Sequence, residues 1–209
     1  MKYKLVIFDF DGTLADSFPF FLTALNALAE KHRFRRIDAE QVEALRHYDA
    51  KHIIHQLHIP LWKVPMVAAA FRKNMAASVA RIPMFPEVTE MLHALSEQGI
   101  ILSLVTSNSH ENVRKILGQA NTDLLIHPQY GTHMFGKAAK LKQILRQTGI
   151  DPSEAIYIGD ELRDLEAALT VKMDFGAVSW GYTRDEALME HAPALMFSSV
   201  GEIAQRLAR

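Results

Sequence analysis

The segment Phe8-Asp9-Phe10-Asp11-Gly12-Thr13 sets two carboxylates one residue apart. In an extended stretch alternate side chains point the same way, so both carboxylates can face one pocket. Their mutual repulsion would raise at least one pKa, and a cation would relieve it. Asp160 can supply a third oxygen, and the set then suits a hard ion such as Mg²⁺. Such an ion would neutralise a phosphate's charge and let an anionic nucleophile approach an anionic substrate. An isolated Asp-x-Asp-Gly is equally read as a solvated turn, because Asp-Gly is a common turn pair. The rest of the chain must decide between the two readings.

Three further groups bear on it. Thr106, Ser107 and Asn108 offer hydroxyls, an amide and backbone N–H groups just before a helix expected to begin near Ser109 or His110. The positive end of that helix dipole would add to a phosphate cradle. Plain helix capping by Ser or Asn is the competing account. Lys137 stands at the start of another helix, where it can neutralise both Asp9 and a transferring phosphoryl group. Lys140 and Lys142 compete for that role, but their helical positions favour solvent. Gly159-Asp160-Glu161 comes next, with Asp164 one helical turn beyond Asp160, so that both can face one side. Glu161 and Arg163 are expected to point elsewhere, and helix capping is the alternative role for Asp160.

The elements that must position these residues are legible as apolar runs. Residues 3–8 form a β-rich run, and similar runs recur at 100–105, 124–126, 155–158, 175–178 and 194–197. Runs of this length suit strands buried on both faces of a parallel sheet. Between them lie helical stripes: Val88, Met91, Leu92 and Leu95; Val113, Ile116 and Leu117; Leu141, Ile144 and Leu145; Leu162, Leu165 and Leu169. The alternation from residue 86 onward predicts an α/β fold with right-handed crossovers and helices on both faces of the sheet. In such sheets ligands bind beyond the C-terminal strand ends, where the polar residues above fall.

Residues 17–81 differ. They show helical patterns at about 17–33, 39–47, 50–58 and 64–80 and no convincing strand. The division expected is a core of residues 1–16 and 82–209 with an all-helical insertion, 17–81, at the sheet's C-terminal edge. Met66, Val67, Ala70, Phe71 and Met75 are expected to pack inside the insertion. His47, His52, His55 and His58 lack a carboxylate at a telling spacing and read as a polar face. Arg46 and Lys51 are candidates to touch a substrate's leaving group. Trp180 and Tyr182 are expected at the sheet edge.

Composition sets the outer limits. The chain has 209 residues and a formal net charge of -1, which signals neither nucleic acid nor an anionic membrane as a partner. The absence of cysteine excludes disulfides, thiolate catalysis and Cys-ligated metals. No signal-peptide pattern or membrane-spanning apolar stretch is evident, so a cytoplasmic protein is expected.

Taken together, the Asp9-Phe10-Asp11-Gly12-Thr13-Leu14 segment, Thr106, Lys137 and Gly159-Asp160 with Asp164 resemble, in order, the four motifs of the haloacid dehalogenase superfamily. The helical insertion resembles its α-helical cap, and the nearest subgroup is the phosphoglycolate-phosphatase-like one. The resemblance implies a Rossmann-like core and a magnesium-dependent phosphatase acting on a small-molecule phosphate ester. Asp9 would be the nucleophile that forms an aspartyl-phosphate, and Asp11 the acid and base. Mg²⁺ would be held by the Asp9 carboxylate, the Asp11 main-chain carbonyl and Asp160, with Asp164 a water-mediated or orienting partner. Thr106, Ser107, Asn108 and Lys137 would hold the phosphoryl oxygens. Dehalogenase relatives lack the second aspartate, so Asp11 favours phosphate esters. The chain departs from many relatives at Thr170-Val171-Lys172-Met173, where they carry a small Ala-Gly turn. A mutase-like phosphotransferase and a non-catalytic binding protein on the same fold are the alternatives. A monomer or a homodimer is expected.

Overall fold

A computed structural model describes residues 2–48, 50–132 and 136–207. Five parallel strands form one sheet in the order β2-β1-β3-β4-β5. They are β1 (Leu5–Phe8), β2 (Ile101–Leu104), β3 (Ala155–Gly159), β4 (Asp174–Val178) and β5 (Leu195–Phe197). The first strand lies between β2 and β3, with Phe8 level with Leu104 on one side and Ile158 on the other. The chain steps from β1 to β2, then crosses back to β3. That reversal opens the crevice at the strand ends in which α/β proteins bind ligands.

The sixth apolar run, 124–126, is not a strand. Leu125 makes only an isolated bridge to Leu102, and Ile126 donates its N–H to the Leu102 carbonyl (2.7 Å). Ile126 is 44% exposed, so the run covers the outer edge of β2 without gaining a second buried face.

Strand alternation divides the core. Val6 and Phe8 pack with α5 (Val88–Glu97), α6 (His110–Asp123) and α10 (Val200–Leu207). Leu5 and Ile7 pack on the other face with α7 (Lys137–Thr148) and α8 (Leu162–Thr170). The period of two along β1 thus meets the 3.6-residue stripes of the helices. At the departure noted after α8, Lys172 takes a left-handed φ of 60°, while Val171 and Met173 are buried beside it.

Between β1 and β2 the chain is helical: α1 (Phe18–His32), α2 (Ala39–Leu45), α3 (Ala50–Gln56) and α4 (Val64–Ser78). Leu25, Leu28, Ile37, Leu57, Ile59 and Val67 form a core of their own there. Phe71 and Ala70 pack against it as expected, but Met66 is 45% exposed because the inward face of α4 runs through Val67 and Phe71. The Met75 and Lys51 side chains lie outside what is described. The four histidines are exposed, as a polar face requires.

Candidate active site

Asp9 immediately follows β1 and is buried, its N–H donating to the Ile158 carbonyl of β3 (2.8 Å). That bond sets its side chain at the mouth of the β1–β3 crevice. Lys137, the first residue of α7, is equally buried and brings its Nζ to 2.9 Å from Asp9 Oδ2. The same ammonium pairs with Asp164 Oδ1, which also accepts from the Tyr157 hydroxyl (3.0 Å). Lys140 lies toward Gln143 and Lys142 is exposed, so Lys137 alone of the three reaches the strand ends.

Glu161, not Asp160, stands at the N-cap of α8, and its N–H donates to Asp164 Oδ2 (3.3 Å). Asp160 is thereby freed from capping. Its Oδ1 accepts from Thr13 Oγ1 (2.8 Å) and its Oδ2 from the Tyr182 N–H (2.7 Å). The room at Gly159 is taken by the Asp164 side chain. Arg163 pairs with Glu161, and its charge opposes the rise that burial causes at Asp9.

Carboxylate oxygens of Asp9, Asp160 and Asp164 lie within 4.8 Å of one another, all buried. Burial pushes the Asp9 carboxyl up to about 7, against the pull of Lys137. Burial also drives Asp160 well above the carboxylate range, reinforced by Glu161, Asp9 and Asp164. Burial alone would lower the Lys137 pKa, but Asp164 and Asp9 outweigh it and keep the ammonium charged. The carboxylates of Asp9, Asp160, Glu161 and Asp164 outnumber the cations Lys137 and Arg163. An all-oxygen donor set with surplus negative charge fits a hard divalent cation.

The Asp11 carboxylate is not one of these three, and its Oδ2 accepts from Asn108 Nδ2 (2.7 Å). Burial raises its pKa, opposed by the Ser17 hydroxyl, Lys137 and Asn108. Thr106 is buried at the end of β2, its Oγ1 accepting from the Asn108 N–H (3.0 Å). Ser107 is exposed beside it. Asn108, expected among the phosphate ligands, thus has its amide engaged with Asp11. Arg46, a candidate for the leaving group, instead donates from Nη2 to the Gly181 carbonyl (2.6 Å) and from Nε to the Tyr182 carbonyl (3.2 Å).

Several contributors escaped the sequence reading. Thr13 and the Tyr182 N–H hold Asp160, Tyr157 holds Asp164, and Asn112 holds Asn108. Trp180 Nε1 donates to the Thr13 carbonyl (3.1 Å), and the Tyr182 hydroxyl meets Ser17 Oγ (2.9 Å). A Cβ on Gly12, whose φ is +77°, or on Gly181 would collide with Asp160. A signal for Thr13 existed, since it sits in the first motif. Trp180 and Tyr182 were expected at the sheet edge, but nothing in the sequence tied loop 180–182 to Asp160, to which the fold brings it.

The parallel α/β sheet thus gathers three buried carboxylates and a lysine at adjoining strand ends. The chain belongs to the haloacid dehalogenase-like hydrolase family, whose model matches residues 6–178. Within it, the chain is 28% identical over 207 residues to phosphoglycolate phosphatase of Synechococcus elongatus, covering 99% of this chain and 98% of that one. It is 29% identical over 195 residues to N-acetylmuramic acid 6-phosphate phosphatase of Pseudomonas aeruginosa, covering 89% and 86% of the two. Among solved structures, a haloacid dehalogenase-like hydrolase from Streptococcus pneumoniae aligns with a TM-score of 0.82 at 19% identity, covering 98% of both chains. CbbY from Rhodobacter sphaeroides, solved in complex with phosphate, aligns with a TM-score of 0.73 at 22% identity, covering 96% of both.

Proposed function

We propose that this phosphatase hydrolyses a small-molecule phosphate monoester, phosphoglycolate or a chemical relative of it, through an aspartyl-phosphate on Asp9. The observation that carries the reading is the buried Lys137 ammonium 2.9 Å from Asp9 Oδ2, beside Asp160 and Asp164. A carboxylate this buried is a weak partner for water but a good nucleophile once its charge is steadied at the point of attack.

In the first half-reaction Asp9 attacks phosphorus while Asp11 gives a proton to the departing ester oxygen. In the second, Asp11 takes a proton from water as it displaces the phosphoryl group from Asp9. Thr106, the Ser107 N–H and Lys137 hold the phosphoryl oxygens, and Asn108 orients Asp11. Asp9, Asp160 and the Asp11 main-chain carbonyl would hold Mg²⁺, with Asp164 orienting Lys137 and the cluster. Bound there, the ion supplies charge neutralisation for nucleophile and phosphate. The kinships above support the substrate class, since those proteins carry phosphatase names and the chain spans nearly all of the Synechococcus enzyme's length.

Residues 17–81 act in this reading as a cap domain over the core of residues 1–16 and 82–209, screening the reaction from water. Their separate hydrophobic core supports that division. The test is phosphate release from phosphoglycolate and from an aryl phosphate, with and without Mg²⁺. Release should require the metal, and Asp9→Asn should reduce it by at least about 10⁴-fold. Unchanged turnover in Asp9→Asn would exclude the nucleophile assignment.

A further inference from the structure

Two asparagines outside the charged cluster converge on Asp11. Asn108 Nδ2 donates to Asp11 Oδ2 at 2.7 Å. Asn108 Oδ1 accepts from Asn112 Nδ2 at 3.1 Å. Asn112 lies in the first turn of α6, is 6% exposed, and has its own N–H bonded to Ser109 Oγ (3.2 Å).

The chain of amides has a direction. Were the Asn108 amide turned over, its NH₂ would face the NH₂ of Asn112 and its carbonyl oxygen would face the Asp11 carboxylate. Both contacts would be repulsive, so the Asn112–Asn108 bond goes with the orientation in which Asn108 donates to Asp11. That donor in turn fixes which way the Asp11 carboxyl is turned.

We propose that Asn108 and Asn112 are positioning residues that hold the Asp11 carboxyl turned for its proton transfers. The inference rests on Asp11 being the acid and base of the proposed reaction. As Asp9 forms its bond to phosphorus and the ester P–O bond breaks, the Asp11 proton passes to the leaving oxygen, which departs as an alcohol. As water then forms its bond to phosphorus and the Asp9–phosphorus bond breaks, Asp11 recovers a proton from that water. Protons balance over the cycle, and Asn108 and Asn112 exchange none.

A purely structural role, pinning the start of α6, would affect all substrates alike. A role in orienting the acid depends on the leaving group. Phenolate leaves poorly and needs the proton; dinitrophenolate leaves unaided. The experiment measures kcat/KM for phenyl phosphate and dinitrophenyl phosphate in wild type, Asn112→Leu, Asn108→Ala and Asp11→Asn. The ratio within each preparation is independent of how much of the protein is folded.

General acid–base catalysis is worth about 10²–10⁴-fold. Asn112→Leu should lower kcat/KM for phenyl phosphate about tenfold more than for dinitrophenyl phosphate, and Asn108→Ala should show the same bias. Asp11→Asn should show the largest. Equal losses for the two substrates in both asparagine variants, with the bias present in Asp11→Asn, would overturn the positioning role alone. Absence of bias in Asp11→Asn would overturn the acid assignment and the positioning role with it.

Discussion

Asp9 and Asp160 are buried, and burial alone would favour their neutral forms. Lys137 answers for Asp9, while among the described residues the Asp160 carboxylate is met by the neutral donors Thr13 and the Tyr182 N–H. Asp160 is therefore the residue whose charge most needs a cation. A ligand that binds only the folded state stabilises it by mass action, by about 2.7 kcal/mol at a hundred times its Kd. Millimolar Mg²⁺ should raise the thermal midpoint of the wild-type protein, and Asp160→Asn should abolish that rise while the protein still unfolds cooperatively. A full Mg²⁺ shift in Asp160→Asn, measured by calorimetry, would remove Asp160 from the ion's ligands. The asparagines teach a related lesson. Asn108 carries the residue type of a phosphate ligand, but which group an amide addresses is decided by its neighbours, here Asn112 and Asp11.

At the scale of elements, the sheet places the site by register. Asp9, Thr106 and Asp160 fall at adjoining strand ends because β1 is flanked by β2 and β3, and each lies within two residues of its strand's last. The far strand is held differently. Asp174 opens β4, and its carboxylate accepts from Lys2 Nζ (2.6 Å) and the Tyr3 hydroxyl (2.7 Å). Partial burial raises its pKa, but Lys2 and Tyr3 outweigh it and hold the carboxyl below its ordinary value. A depressed carboxylate contributes stability that is present above its unfolded pKa and is lost as pH falls through the folded one. Asp174→Asn should therefore destabilise by about 0.5 kcal/mol at pH 7, a value suited to a partly exposed pair. The difference from wild type should shrink as pH falls below about 4. Urea melts at several pH values test this; a penalty that persists unchanged at low pH would show that packing rather than charge is responsible.

At the scale of the molecule, the helical insertion meets the core through Arg46. Its guanidinium reaches the Gly181 and Tyr182 carbonyls, and its main-chain carbonyl accepts from the Arg184 N–H (2.9 Å). The Tyr182 N–H in turn holds Asp160. Hydrogen bonds from a charged donor contribute about 1.5–3 kcal/mol. Arg46→Ala should accelerate amide exchange in the helices of residues 17–81 while leaving that of β1 and β3 slow. It should also raise KM several-fold, because closing the insertion over the core would no longer draw on these contacts. Unaltered exchange in those helices would show that other contacts fix the insertion.

The sequence by itself marked the five strands of the sheet, the helical stretches between them, and the residues whose types could do chemistry. Period and length suffice for the first two, and residue type after a strand suffices for the third. The tertiary structure decided what each group addresses. The run 124–126 had the composition of a strand, but only the fold could leave it with one isolated bridge. Arg46 was a candidate for the substrate and is found on carbonyls 135 and 136 residues away. The physical reason is common to both. Propensity and periodicity act within a few residues, whereas hydrogen-bond partners and charge neighbours are chosen by distances in space that only the closed chain defines.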